Sequence, residues 1–268
     1  MRALLLWLAS CLVLAAGERR IASYSPGATQ TLVDLGCAEE VVMATRWCPL
    51  PKDHPAARDA DLFRPDLEKL LQAKPSLVIL PRTANPLWPR KCAEAGLRVV
   101  LLHAEARDSA GEDIRTIGEA VGRAKAADEL AAALTMKRPG PRRKAAVIWD
   151  GVIAGPSSYL AGPLEAAGLT TSLTQGSWVR FDWELLAASR PDLVIWVHDS
   201  PLDESTKPSS GKIAEMGKIP VVRDLECVRN GRIFEAKSGH NWLPGSGLKN
   251  IIPELSELSR APDPKRGE

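Results

Sequence analysis

The sequence predicts an α/β protein of two similar lobes with parallel sheets, joined by one long rigid α-helix, with a ligand cleft between the lobes. Three observations predict it. Apolar strand-like runs alternate with helical stretches, one helix–turn–strand phrase occurs twice, and a proline-free segment of strong helix formers separates the two copies.

Arg20 to Tyr24 is a short β-like run, Ser25-Pro26-Gly27 turn the chain, and Ala28, Leu32, Val33 and Leu35 follow a helical period up to Gly36. Val41 to Ala44 reads as a second strand. Pro49, Pro51 and Pro55 then deny the chain regular hydrogen bonding, because proline has no N–H, and predict a long functional loop. Asp66 to Ala73 is helical, Leu77 to Leu80 a buried strand, Pro86 to Ala95 a helix and Leu97 to Leu102 a further buried strand.

From Asp108 to Lys137 the apolar residues Ile114, Ile117, Val121 and Leu130 recur at helical spacing, which predicts one continuous helix. Bending such a helix in its interior breaks shared hydrogen bonds, so small closure on binding is expected. Arg138-Pro139-Gly140-Pro141 stop it, and a fresh strand begins at Ala145 to Trp149. The predicted organisation is a signal segment at 1–17, an N-terminal lobe at 18–107, a linking helix at 108–138 and a C-terminal lobe at 139–268.

The second lobe repeats the first. Asp66, Glu68, Leu70, Pro75 and Leu77-Val78-Ile79 align without a gap with Asp182, Glu184, Leu186, Pro191 and Leu193-Val194-Ile195. A small molecule is expected in the crevice between such lobes, at the C-terminal ends of the strands.

Thirty-five basic residues against 33 acidic ones give a formal charge of +2, which leaves no electrostatic footprint for nucleic acid. Eight Trp beside two Tyr and three Phe point instead to a ligand with large apolar faces. Arg2, the apolar run Ala3 to Ala16 and the small residues Ala15-Ala16-Gly17 read as an export signal, which predicts a periplasmic location. The run is shorter than the roughly 20 apolar residues a spanning helix needs. Leu8-Ala9-Ser10-Cys11 resembles a lipoprotein box, in which Cys11 would carry the lipid. Cys37, Cys48, Cys92 and Cys227 remain; no CxxC spacing supports zinc, and buried thiols and one disulfide both stay open.

Ser25-Pro26 after the first strand, Thr45-Arg46-Trp47-Cys48-Pro49 after the second, the paired Asp-x-Glu helices and Val228-Arg229-Asn230-Gly231-Arg232-Ile233-Phe234 together carry a resemblance. From Arg20 to Leu258 the chain resembles the helical-backbone (class III) substrate-binding proteins of ABC importers, which serve cobalamin, haem, siderophores and some metals. The resemblance implies two Rossmann-like lobes and an exported monomer with no catalytic residues, resident cofactor or metal. It implies capture of a bulky ligand, a corrinoid such as cobalamin foremost, for an ABC transporter permease.

In that family a glutamate on each lobe docks onto arginines of the transporter, and the resemblance places these at Glu68 and Glu184. Their equivalence across the repeat suits a two-fold symmetric permease. The plain alternative is an exposed carboxylate at a helix N-terminus, favoured by the dipole by about 0.3–1 kcal/mol.

Cobalamin receptors of the family line the cleft with aromatics. The resemblance puts Trp47 in the proline-rich loop, Phe63 before Glu68, Trp178 before Glu184, Trp149 at the end of a strand and Trp242 in the last long loop on the rim. Tyr24, at the end of the first strand, completes the aromatic set. Trp47, Trp178 and Trp242 lie in loop-like contexts and lead it, whereas Trp183 and Trp196 read as core and Trp88 stays open. The loop from Ser238 to Gly245 lacks an arginine often found there in the family, so Arg46 and Arg82 are the candidates to meet a ligand's acidic or amide groups.

Rival readings stay in view. A bare-metal receptor needs three or four converging ligands, and His54, His103, His198 and His240 show no such convergence in the sequence. Haem would take any of them as an axial ligand, and an iron–siderophore would draw on Arg46, Arg82 and Arg180. An α/β enzyme is the reading from another class, but no GxSxG, P-loop or GxGxxG is present, and Asp150-Gly151 reads as a turn.

Overall fold

The computed structural model describes residues 19–82, 85–103, 106–136, 142–198, 205–237 and 241–261. The signal segment with Cys11, Arg138 to Pro141 and His240 lie outside the described residues.

The first half alternates as the sequence predicts: β1 (Ile21–Ser23), α1 (Pro26–Asp34), β2 (Val41–Ala44), α2 (Leu67–Gln72), β3 (Leu77–Leu80), α3 (Leu87–Glu94) and β4 (Arg98–Leu101). The four strands form a parallel sheet in the order β2-β1-β3-β4. All four residues of β3 are buried, as a parallel strand covered on both faces requires. Helix α1 starts where the Ser25 side chain accepts the Ala28 N–H and Pro26 occupies the first turn. It ends at Gly36, whose φ of 71° turns the chain so that the Cys37 N–H reaches the Leu32 carbonyl at 2.8 Å. The proline-rich loop has a clamp of its own: the Arg58 guanidinium donates to the carbonyls of Cys48, Leu50 and Pro51 at 2.8–2.9 Å.

The linking segment corrects the expectation of one rigid helix. It forms two helices, α4 (Ser109–Ala120) and α5 (Ala124–Ala133). Gly122 has φ 67°, and the Arg123 N–H bonds the Gly118 carbonyl at 2.7 Å, the closure that ends a helix on a left-handed glycine. The two helices then touch closely, since a Cβ on Gly118 would stand 2.1 Å from the Ala127 Cβ. The strong propensity of the surrounding Ala, Glu and Lys residues hides this stop in the sequence.

The second half contains β5 (Arg143–Trp149), β6 (Val152–Ala154), α6 (Ala161–Ala166), β7 (Leu169–Thr171), β8 (Trp178–Arg180), α7 (Trp183–Ser189) and β9 (Leu193–His198). It continues with β10 (Ser205–Pro208), α8 (Ser210–Met216), α9 (Glu226–Arg229), β11 (Ile233–Lys237) and α10 (Leu248–Arg260). These strands make a seven-stranded sheet in the order β10-β11-β9-β5-β6-β8, with β7 also on β5. The sheet is mixed rather than wholly parallel: β5, β7, β9 and β11 pair in parallel, while β6, β8 and β10 run antiparallel to their neighbours. Asp150 (φ 45°) and Gly151 (φ 76°) cause part of this, because a two-residue turn with both φ positive folds β6 back onto β5.

The repeated phrase yields the same local structure twice. Asp66 caps α2 by accepting the Glu68 and Lys69 N–H groups, and Asp182 caps α7 by accepting that of Leu185. Lys74 and Arg190, each just before the repeated proline, share a left-handed conformation at φ 47° and 45°. The four cysteines at 37, 48, 92 and 227 are free and buried, which closes the question of a disulfide within this structure.

The two sheets are joined by direct contacts. The segment from Pro244 to Lys249 lies on α1: the Ser246 N–H bonds Thr31 Oγ1 at 3.2 Å, Ser246 Oγ bonds Asp34 at 2.6 Å, and the Lys249 ammonium pairs with the same carboxylate. Backbones meet there without side chains between them, because a Cβ on Gly27 would stand 2.1 Å from the Pro244 carbonyl oxygen and one on Gly245 would stand 2.3 Å from that of Gly27. A continuous apolar cluster, including Leu32, Ile114, Val147, Leu193 and Ile252, runs through this junction. Gly27→Ala is expected to lower stability by at least about 1–3 kcal/mol, the usual cost of overpacking. Urea unfolding followed by circular dichroism measures this, and an unchanged midpoint would show that the junction yields freely.

Candidate functional site

Sequence reasoning puts ligand contacts on the loops that follow the parallel strands, and the first such loop is built on a buried polar network. Thr29 Oγ1 lies 2.8 Å from Ser23 Oγ and 3.0 Å from Cys48 Sγ, and Thr45 Oγ1 lies 3.2 Å from the same sulfur. Burial pushes the Cys48 thiol up from its ordinary pKa, with the threonine contacts acting against it, so the group serves as packing. The Trp47 N–H bonds Thr45 Oγ1 at 3.3 Å, and the turn so anchored presents Arg46 and Trp47 to solvent.

Trp47 is 55% exposed, and the Arg46 guanidinium sits 4.8 Å from its ring centroid. A contact of this kind is worth about 0.5–1 kcal/mol at an exposed site, enough to bias the indole toward one orientation. Phe63 is 90% exposed on the loop before α2. Asp61 holds its backbone by accepting the N–H groups of Phe63 and Arg64 at 2.8 and 3.0 Å. Those bonds, with smaller contributions from Arg64 and Arg46, keep the Asp61 carboxyl below the ordinary carboxylate range. The Ala60 N–H bonds the Ala44 carbonyl at 3.1 Å, which brings the start of the Phe63 turn beside the start of the Trp47 turn.

In the second sheet Trp178, opening β8, is half-buried with its ring 5.4 Å from that of Tyr159, and its buried Nε1 has no hydrogen-bond partner among the described residues. Trp149, closing β5, is also half-buried and packs against the main core. Arg82, after β3, is exposed.

Two members of the predicted aromatic set are interior, which corrects their placement on the rim. Tyr24 is 1% exposed, packs edge-on against Trp88 at 6.2 Å, and its burial drives the phenol well above its ordinary pKa. Trp242 is likewise 1% exposed, within the core cluster that α10 closes. The large apolar area of each ring is better satisfied by core packing than by solvent, and at Trp242 the loop context that suggested otherwise folds inward. Trp88 is interior too, while Trp183 and Trp196 form a half-buried cluster with Phe181, at centroid distances of 4.9–6.1 Å.

Glu68 and Glu184 stand exposed at the same position of their two capped helices. A groove of about 860 Å³ opens beside Glu68, lined by Arg64, Asp66, Trp88, Lys91 and Glu94 of the first lobe alone.

The histidines differ sharply from one another. Both ring nitrogens of His54 are engaged, by the Ala38 carbonyl and the Ala56 N–H. His198 Nε2 lies 3.2 Å from Glu235. His103 Nδ1 lies 2.6 Å from Asp113 Oδ1, and its backbone N–H donates to the same oxygen at 2.7 Å. Burial pushes the Asp113 carboxyl up despite these bonds. Sequence reasoning missed Asp113, which faces inward from mid-helix and leaves no motif. Among the described residues no group of three or more His, Cys, Asp or Glu could hold a metal ion, and no helix is long and apolar enough to cross a membrane.

Comparison with known proteins places this architecture. A cobalamin-binding protein of Halobacterium salinarum is 23% identical over 262 residues, covering 90% of this chain and 69% of its own. The periplasmic heme-binding protein of Vibrio cholerae superposes with a TM-score of 0.71 at 18% identity, over 91% of this chain and 98% of the other. A possible iron-binding periplasmic solute-binding protein of Staphylococcus epidermidis gives 0.70 at 21% identity, over 90% and 98%. These structural likenesses establish a shared two-lobed fold. The sequence profile of periplasmic binding proteins matches residues 21–239, most of the chain, and the chain therefore belongs to the periplasmic binding protein family.

Proposed function

We propose that this protein is an exported receptor that captures a bulky small molecule with large apolar faces, foremost a corrinoid such as cobalamin, and delivers it to the permease of an ABC importer. It acts by binding, and no residue is assigned a catalytic role. The observation that carries this reading is the display of Trp47 and Phe63 on neighbouring loops, with Arg46 over the indole. Exposed aromatic rings lose stabilisation that burial would give, and covering each removes about 150–250 Å² of ring surface from water.

Trp149 and Trp178 extend the apolar set in the second lobe, and Arg46 and Arg82 supply cations for the polar periphery of a ligand. Tyr24 and Trp242 drop out of the set because they are interior. The cobalamin-binding relative supports the choice of a corrinoid. Haem is the second reading, favoured by the heme-binding neighbour and by the carboxylate-backed His103. Glu68 and Glu184 are proposed to meet arginines of the permease, since two exposed carboxylates on equivalent helices suit a two-fold partner.

Trp47→Ala and Phe63→Ala are each expected to weaken capture of aquocobalamin or haem roughly tenfold, from stacking worth about 1–3 kcal/mol per ring as measured for bases on aromatics. Calorimetric titration reads this, and undiminished affinity in both variants removes the site assignment. Replacing Glu68 and Glu184 together by Lys is expected to abolish uptake while leaving ligand affinity within twofold of wild type. Uptake that survives the double replacement would rule out docking through these carboxylates.

A further inference from the structure

We propose that the groove beside Glu68 is a socket for one extracytoplasmic loop of the permease, a loop that carries an arginine next to an apolar side chain and an acidic one. The socket rests on the docking reading above, and it adds a shape for the contact and a difference between the two lobes.

The repeat shared by the lobes extends back by two residues, since Arg64-Pro65-Asp66-Leu67-Glu68 aligns with Arg180-Phe181-Asp182-Trp183-Glu184. The charged positions are identical, and the positions between them are not. In the second lobe Phe181 and Trp183 meet edge-on at 4.9 Å, and both reach Trp196, at 5.3 and 6.1 Å. Lys212 of α8 lies over the Trp196 ring at 4.6 Å, and Ile213 of the same helix packs in the same cluster, so aromatic rings bridge α7 to α8. In the first lobe the equivalent positions hold the smaller Pro65, Leu67 and Leu80. Pro65 and Leu67 there line an open groove of about 860 Å³ between α2 and α3.

Charge selects the occupant. Arg64, Glu68 and Lys91 border the groove and make no ion pair among the described residues. Asp66 is engaged in capping α2, and Glu94 pairs with Arg90 at 2.7 Å. A free carboxylate on α2, with a guanidinium before it and an ammonium on α3, complements a segment bearing both signs of charge. Its arginine goes to Glu68, and its carboxylate to Arg64 and Lys91. A simple anion or cation would meet like charge in the same groove.

Apolar surface supports the same partner. Leu71 and Leu87 are 42% and 59% exposed, and they stand on the two helices that form the groove, one turn from Leu67 and Lys91 respectively. With Leu67 and Trp88 they give the groove apolar walls and margins, which a loop side chain would remove from water. A two-fold permease therefore meets unlike faces, a socket beside Glu68 and a filled aromatic platform beside Glu184. Identical loops of its two subunits insert on the first lobe and rest on the second, and the first-lobe contact carries more of the affinity.

The test puts the photocrosslinker benzoylphenylalanine in place of Leu87 or, as a probe of the second lobe, in place of exposed Ala188, one turn after Glu184. Whole cells are irradiated, and adducts are mapped by mass spectrometry. Position 87 is expected to join a permease loop beside an arginine. The captured importer is then placed in lipid nanodiscs for binding measurements. Pro65→Phe with Leu67→Trp, which copies the second lobe into the first, is expected to weaken permease binding about tenfold, as loss of an interface anchor does. Its affinity for aquocobalamin or haem should stay within twofold of wild type. Lys91→Glu, a surface change that keeps the fold should the double replacement fail circular dichroism, is expected to weaken permease binding about threefold. Glu68→Lys should cost about fivefold more than Glu184→Lys. Wild-type binding by both the filled-groove variant and Lys91→Glu, with Glu68→Lys still impaired, overturns the socket and leaves carboxylate docking standing. So does an adduct from position 188 without one from 87, or an adduct of position 87 with a second copy of this chain. A filled-groove variant that loses ligand affinity but not permease binding also overturns the socket. No permease adduct from either position overturns socket and docking together.

Discussion

The arrangement of the molecule depends on a contact between two stretches of bare backbone. At Gly27 and Gly245 the first turn of α1 and the last loop of the chain approach closer than any side chain would permit. That proximity brings Ser246 and Lys249 onto Asp34, and it allows the apolar cluster to continue from the first sheet into α10 and the second. The clasp sits in the first turn of α1, shortly after β1, and so ties the start of the first lobe to the last loop of the chain. Dispersion and burial then act over a continuous interior, and interiors of native density deform little.

This junction explains why the linking segment can break at Gly122 without loosening the molecule. A single stiff helix would have carried the relative placement of the lobes alone. Here α4 folds back on α5, α4 packs against α1, and the Arg107–Glu165 ion pair adds a polar tie. Placement is shared among several contacts, each of ordinary strength. The loops that present Trp47 and Phe63 are in turn held by local devices, the Cys48 network and the Asp61 turn, rather than by the ligand they are proposed to meet. Preorganisation of this kind lowers the ordering cost of binding.

Much of the fold was legible in the sequence because it rests on local, periodic signals. The first sheet, the capped helices at Asp66 and Asp182 and the repeated proline-strand unit follow from burial pattern and cap chemistry. Gly122 was legible in principle, as a glycine in a helical run, but propensity over the surrounding residues outweighed one stop signal. The antiparallel members of the second sheet were harder, since short strands such as Val152–Ala154 carry too few residues to show a period. For the candidate site, exposure decided what spacing could not. Trp47 and Phe63 face solvent, whereas Tyr24 at the end of a strand and Trp242 in a loop-like context both take core positions in space. Asp113 was beyond sequence reasoning, because its role depends on a residue on another element.

The free thiols carry a consequence for how the molecule lives. Burial pushes Cys92 to about 11 and Cys227 to about 12, so at neutral pH neither offers an appreciable thiolate, the species that attacks disulfides and oxidants. In the folded state these thiols therefore act as packing groups rather than as nucleophiles. Cohesion among the described residues thus comes from packing, with no covalent link between these four sulfurs for a reductant to cut.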